Sequence, residues 1–183
     1  MTPPYDPLNP DGVARPDKPP RPDTGSRDRP DAPLVLWLDA DALPRPVRDI
    51  VLRASARLDL PTMLVANHRV PVPPGSDRVR HVLVSHGDDV ADRHIVKHAR
   101  KGDLAVTADI PLAALLVEKG VHVLDPRGER YTPENVGERL SIRDFMASLR
   151  DSGVETGGPS SFGAAQRKAF GDALDRTLTE LMG

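Results

Sequence analysis

The chain has 183 residues, 25 basic and 27 acidic side chains for a formal net charge of −2, 20 prolines and no cysteine. Its length suits one domain with a full core and is short for two. The balanced charge excludes a bulk positive field for nucleic acid or anionic lipid, and the lack of cysteine excludes disulfides, thiolate metal sites and thiol nucleophiles. No apolar run approaches the ~20 residues of a membrane span and the N-terminus lacks a signal-peptide core, so a cytoplasmic protein with no membrane partner is expected.

Residues 1–32 hold nine prolines, five basic and six acidic side chains and few large apolar groups. Such a segment buries too little to offset its ordering entropy and is expected to be a disordered tail, with one domain over 33–183. Beyond Pro33, short apolar runs alternate with amphipathic stretches, the signature of βαβ units and a parallel sheet. Strands are expected at 34–38, 62–66, 79–84, 103–108 and 121–124. Pro44 and Pro46 open a helix carrying Val47, Ile50, Val51, Ala54 and Leu58. Residues 88–100 form a second helix with Ala91, Ile95, Val96 and Ala99 inward, stopped by Gly102. Pro111 opens a third with Leu112, Leu115, Leu116 and Val117, ended by Gly120. Asp125-Pro126-Arg127-Gly128 reads as a turn. Thr132-Pro133-Glu134 starts a helix, and 141–150 reads as another with Ile142, Phe145, Met146 and Leu149 inward. After the loop Gly157-Gly158-Pro159-Ser160-Ser161, residues from Ala169 to Leu181 close the chain as an amphipathic helix. The expected fold is α/β, a mostly parallel sheet of four to five strands flanked by helices, with a C-terminal helical extension.

The functional signal is where the strands stop. Leu34-Val35-Leu36-Trp37-Leu38 runs into Asp39-Ala40-Asp41, and Leu104-Ala105-Val106-Thr107-Ala108 runs into Asp109. Side chains just past the carboxyl ends of parallel strands line the ligand crevice of an open sheet, so these acids are expected to share one site with Asn67 and Ser85 from two further strand ends. Asp88, Asp89 and Asp92 fall on the first turns of the following helix, where 88 and 92, or 89 and 92, share a face. Two carboxylates 4 Å apart repel by about 4 kcal/mol at an effective dielectric near 20, so such a cluster needs a cation or protons. Oxygen donors without a thiol favour Mg²⁺ or Mn²⁺. The chemistry this suits is phosphoester hydrolysis by a metal-activated water, with Arg127 or Arg143 placed to meet phosphate.

Plainer readings compete for single residues. Asp41, Asp88, Asp89 and Asp109 can each cap a helix. His94 and His98 have the i, i+4 spacing of a metal pair but no third ligand of matching spacing, so a polar helix face explains them better than zinc. Trp37 reads as core, and Ser160 and Ser161 have no visible base.

The strings Leu38-Asp39-Ala40-Asp41-Ala42, Val65-Ala66-Asn67, Asp89-Val90-Ala91-Asp92, the run from Gly102 to Ala113, Asp125-Pro126-Arg127-Gly128, Arg143-Asp144-Phe145-Met146 and Thr156-Gly157-Gly158-Pro159 resemble the YaiI/YqxD family of uncharacterised bacterial proteins, from about Leu34 onward. That family resembles a branch of the PIN-like superfamily. The resemblance implies a three-layer α/β fold and RNA cleavage with Mg²⁺ or Mn²⁺ held by three or four acids. By position it implies Asp39, Asp92 and Asp109 as the catalytic, metal-holding acids, with Asp41 and Asp89 as accessories. Where the family usually reads Asp-Ala-Cys-Pro, the chain has Asp41-Ala42-Leu43-Pro44, so Leu43 is expected to pack.

Two rival readings remain. Leu38-Asp39-Ala40-Asp41 also resembles the nucleophile motif of haloacid-dehalogenase-type phosphatases, with Asp39 attacking phosphorus and Asp41 as acid/base; the lysine that scheme expects before the second acidic motif is missing between Asp41 and Asp92. A non-catalytic metal- or RNA-binding module is the other, and near-neutral charge argues against tight, salt-sensitive binding alone.

Overall fold

A computed structural model describes residues 33–74, 76–87, 89–153 and 162–183. The Pro-rich segment 1–32, Asp88 and the Gly157–Ser161 loop lie outside the described residues. Eleven elements follow in order among those described: β1 (Leu36–Asp39), α1 (Arg45–Leu58), β2 (Thr62–Ala66), β3 (Val79–Leu83), α2 (Val90–His98), β4 (Leu104–Val106), α3 (Ile110–Glu118), β5 (His122–Leu124), β6 (Arg130–Tyr131), α4 (Val136–Asp151) and α5 (Ala164–Met182). The strands form one sheet in the order β3-β2-β1-β4-β5-β6. The first five are parallel, with Leu36 opposite both Thr62 and Leu104. This is the α/β, mostly parallel architecture expected of a PIN-like fold.

Strand alternation divides the core in two. Leu36, Leu38, Leu64, Leu104 and Val106 face one side, where α1 covers them with Val47, Val51 and Ala54 and α5 with Phe170, Leu174 and Leu178. Val35, Trp37, Met63, Val65, Ala105 and Val123 face the other, covered by Ile95 of α2, Leu112 and Leu116 of α3, and Val136 of α4. Full burial of a Leu, Val or Phe side chain contributes about 1.5–3 kcal/mol each, so both helical layers are needed to hold the sheet. Trp37 is core, as its setting suggested. Leu43, at the departure from the family pattern, is buried in the α1 layer.

Three differences from the sequence reading have physical causes. A sixth strand, β6, pairs antiparallel to β5 through Leu124–Arg130 and Val123–Tyr131. Two residues are too few to show a strand periodicity, and the turn before them is what folds them back. Residues 132–150 do not form two helices: α4 is one helix from Val136 to Asp151. Its apolar stripe is inward only in part: Ile142 is 48% and Phe145 61% exposed, while Met146 and Leu149 are half-buried. Spacing shows that a stripe exists, whereas burial also requires a layer to receive it, and among the described residues α4 enters the core only through Val136.

Chain direction places the site. From β1 the chain moves outward to β2 and β3, then returns across the sheet to β4 on the other side of β1. The loops leaving β1 and β4 therefore diverge, opening a crevice at the carboxyl ends of adjacent parallel strands, the usual ligand position of an open α/β sheet.

Candidate metal centre

Asp39 ends β1 with the same parity as Val35 and Trp37, so it faces the α2–α3 layer, and it is only 4% exposed. Thr107, one residue beyond β4 and on the same side, donates its hydroxyl to Asp39 Oδ2 at 2.8 Å. The same Thr107 oxygen accepts the backbone N–H of Asp109 at 2.9 Å. One hydroxyl thus ties the two strand-end acids together. Asp109 Oδ1 accepts the N–H of Leu112 at 2.7 Å and caps α3. The cap expected as the plain alternative is real, and it orients the carboxylate without removing it from the crevice.

Asp92 arrives from the first turn of α2. Ahead of it Asp89 occupies the N-cap position with φ +58° and makes no side-chain capping bond. Left-handed backbone at a non-glycine residue is uncommon and is tolerated best by Asn and Asp. Here it directs the chain from β3 into a short helix whose first turn faces β1.

Asp39, Asp41, Asn67, Asp89, Asp92 and Asp109 all line a single open cavity of about 330 Å³. The carboxylates feel one another. Burial pushes Asp92 up to about 6, reinforced by the charges of Asp39, Asp109 and Asp89. Asp39 is also raised, chiefly by burial; the Thr107 hydroxyl and the Ala42 backbone N–H oppose the shift, and Asp109 and Asp41 add to it. These are the responses expected of acids held together without a counter-charge.

Asp41 is braced differently. Its Oδ2 accepts the N–H of Asn67 at 2.8 Å and its Oδ1 pairs with His68 Nδ1 at 2.8 Å. The loop after β1 is thereby fastened to the end of β2, and neither oxygen caps α1. Of the other residues singled out from the sequence, Ser85 is exposed beyond the edge strand β3 and does not line the cavity. Arg127 is exposed in the 125–128 turn, also off the cavity wall. Arg143, on α4, pairs with Asp144 at 2.8 Å; that bond chiefly holds its guanidinium in the charged form, and the charge of Asp109 adds to it. Arg143 therefore lies within electrostatic reach of Asp109 although off the wall. His94 and His98 stack with ring centroids 4.2 Å apart, and His98 Nδ1 contacts the His94 carbonyl oxygen at 2.7 Å, so the pair is tied up within its own helix. Thr107 and His68 were not visible as site residues: a threonine inside an apolar strand and a histidine in a loop carry no signal of their own.

Among the described residues no group of three or more His, Cys, Asp or Glu side chains is placed to hold a metal ion together. The donor set suits a hard ion that keeps much of its water and takes one or two carboxylates directly, as Mg²⁺ does.

A profile of the uncharacterized YaiI/YqxD family matches residues 37–180. The chain belongs to the YaiI/YqxD family. It is similar to a UPF0178 protein of Myxococcus xanthus, 60% identical over 149 residues that cover 81% of this chain and 97% of the relative. It is likewise similar to UPF0178 proteins of Dechloromonas aromatica, 51% identical over 148 residues covering 81% and 98%, and of Acidithiobacillus ferrooxidans, 56% identical over 145 residues covering 79% and 98%. No solved structure matches the chain. Among the described residues no helix is long and apolar enough to cross a membrane.

Proposed function

We propose that this YaiI/YqxD protein is a Mg²⁺- or Mn²⁺-dependent phosphodiester hydrolase of the cytoplasm with RNA as its substrate. The observation that carries the reading is the meeting of Asp39, Asp92 and Asp109 from β1, α2 and the end of β4 on one cavity wall, with Asp92 pushed up to about 6 by burial and by its acidic neighbours. Protein interiors do not gather like charges without a use for them, and a divalent cation relieves the repulsion. Asp39, Asp92 and Asp109 would surround the ion, one or two of them binding it directly and the rest through its water, with Asp41 and Asp89 at its margin. Such an ion supplies a nucleophilic water near neutral pH and neutralises charge developing on the phosphate oxygens. Thr107 fixes Asp39 relative to Asp109, Asn67 orients water or substrate from the cavity wall, and Arg143 draws phosphate toward the acids.

Asp41 argues against a covalent phosphatase route, because the acid/base role there needs a free carboxyl and both of its oxygens are engaged by Asn67 and His68. The deciding experiment is calorimetric Mn²⁺ titration of wild type and Asp39→Asn, paired with an RNA cleavage assay. Mn²⁺ affinity is expected to fall by more than about 100-fold in the variant, since even residues behind metal ligands cost about 10–100-fold, and cleavage is expected only with the ion. Unchanged Mn²⁺ binding in Asp39→Asn removes the site; binding without turnover of RNA leaves a metal-binding module.

A further inference from the structure

A second cavity, of about 250 Å³, opens between α1 and the loop after β2, with Arg45, Arg48, Leu52, Val70, Pro71 and Pro73 on its walls. It is reached from the acidic cavity along two short stretches of chain. Asp41 and Asn67 line the acidic cavity, while Arg45 and Val70 line this one. Four residues and three residues separate these pairs, so along each stretch the two walls are at most about 14 Å and 11 Å apart. Both stretches leave the carboxyl ends of neighbouring parallel strands, so the two cavities lie on the same edge of the sheet.

Their chemistry is opposite. Arg45 and Arg48 are three apart in α1 and share a face. Among the described residues neither guanidinium has a carboxylate within ion-pair distance, and the acid on this wall, Asp49, is exposed. Behind the arginines stands an apolar surface: Leu52 is 5% and Val70 8% exposed, and the chain leaves Val70 through Pro71, Pro73 and Pro74. Proline fixes its own φ and biases the residue before it to extended backbone, so this wall is stiff without any hydrogen-bond ladder. A bare anion needs no apolar wall, and an apolar ligand needs no arginines. A nucleotide uses both, with its phosphate on the guanidinium forks and its base against the aliphatic side. The volume lies just under the ~300 Å³ lower end of small-ligand pockets, so the cleft takes no more than one such unit.

We propose that this cleft is a subsite for one nucleotide of single-stranded RNA flanking the phosphodiester held at the acidic cavity. The inference deepens the hydrolase reading and rests on it for the identity of the chain that spans the two cavities. Single-stranded RNA is the form that fits, because its bases are unstacked and present a face to the Val70–Pro71 wall, whereas those of a duplex are paired and stacked. The subsite also accounts for how a protein of balanced charge holds a polyanion: the positive charge is local, four residues from Asp41, rather than spread over the surface.

The test is metal-free, so it is independent of cleavage. Fluorescein-labelled single-stranded RNA hexamers are titrated with the full chain in EDTA, read by fluorescence anisotropy at several salt concentrations. Arg45→Gln/Arg48→Gln is expected to weaken binding by about tenfold and to make the log–log salt dependence shallower by about 1, as removing phosphate contacts does. Asp49→Asn is expected to tighten binding about two- to threefold by removing the opposing charge. Unchanged affinity and salt slope in the double arginine variant, with an unaltered melting temperature, overturns the subsite, as does absence of binding by the wild type. Failure of Mn²⁺-dependent cleavage would sink the hydrolase reading and leave this measurement standing.

Discussion

Two aspartates are buried at opposite ends of the same strand pair, and they are held in opposite ways. Asp103, 6% exposed and one residue before β4, accepts the Trp37 indole N–H at 2.9 Å, the Val35 N–H at 3.2 Å and the Arg100 N–H at 3.0 Å. Asp39, 4% exposed at the end of β1, receives the Thr107 hydroxyl and a backbone N–H from Ala42, and then faces other carboxylates. A carboxylate satisfied by three donors is part of the scaffold, whereas one that is buried with fewer donors and with other acids beside it is held at a cost to its charged form. The difference lies in the company each acid keeps, since burial and residue type are the same.

Substitution separates the two ends. Asp103→Ala is expected to cost the most in stability, on the order of 3 kcal/mol or more, because it strands three donors, the indole N–H in the core among them. Urea unfolding measures this, and a change within 1 kcal/mol, taken as about the worth of one ordinary hydrogen bond, would mean that Asp103 is not the clamp described. Asp39→Asn, by contrast, is expected to stay within about 1 kcal/mol of wild type, since Asn still accepts from Thr107 and like-charge repulsion is relieved; a large destabilisation would make Asp39 a scaffold residue like Asp103. Thr107→Val falls between: it removes the hydroxyl shared by Asp39 and Asp109, with an expected cost of about 1 kcal/mol and a loss of about tenfold in Mn²⁺ affinity, as for a residue behind the ligands. Unchanged Mn²⁺ affinity there would show that the two acids hold their positions without it.

The smallest effect is a slope with pH. The folded pKa of Asp92, about 6, lies above its ordinary 3.8. Its contribution to stability is therefore complete below pH ~4 and is lost as pH rises through about 6, with the raised Asp39 acting in the same direction. In EDTA, urea midpoints of the wild type should decline relative to Asp92→Asn between those limits. Parallel curves would show that burial and the neighbouring acids do not raise Asp92 in the folded protein. Mn²⁺ affinity should move the other way, rising through pH 6 as Asp92 loses its proton.

Much of this is legible in the sequence itself. The acids at 39 and 109 announce themselves because each interrupts an apolar run where a parallel strand must end, and β2 falls at the expected Thr62–Ala66. Asn67 was placed by the same logic. What escaped depends on neighbours that no local pattern encodes. Asp103 looked like a strand start, because its three donors come from segments that meet only in the fold. The pairing of Asp41 with His68 spans two loops. Ser85 ends a strand as expected, but β3 is the edge of the sheet, one strand removed from β1, and its end opens to solvent. The stripe of α4 has the right period, but Ile142 and Phe145 on it are exposed.

The position of α5 in the chain has a consequence for biogenesis. All six strands leave the ribosome before the helix that carries Phe170, Leu174 and Leu178, the side chains that seal one side of the sheet beside α1. Until Ala164–Met182 has emerged, the core cluster that includes Leu36, Leu104 and Leu124 lacks the Phe170, Leu174 and Leu178 side chains that complete it. Completion of that side of the core is therefore expected to be a late step in synthesis.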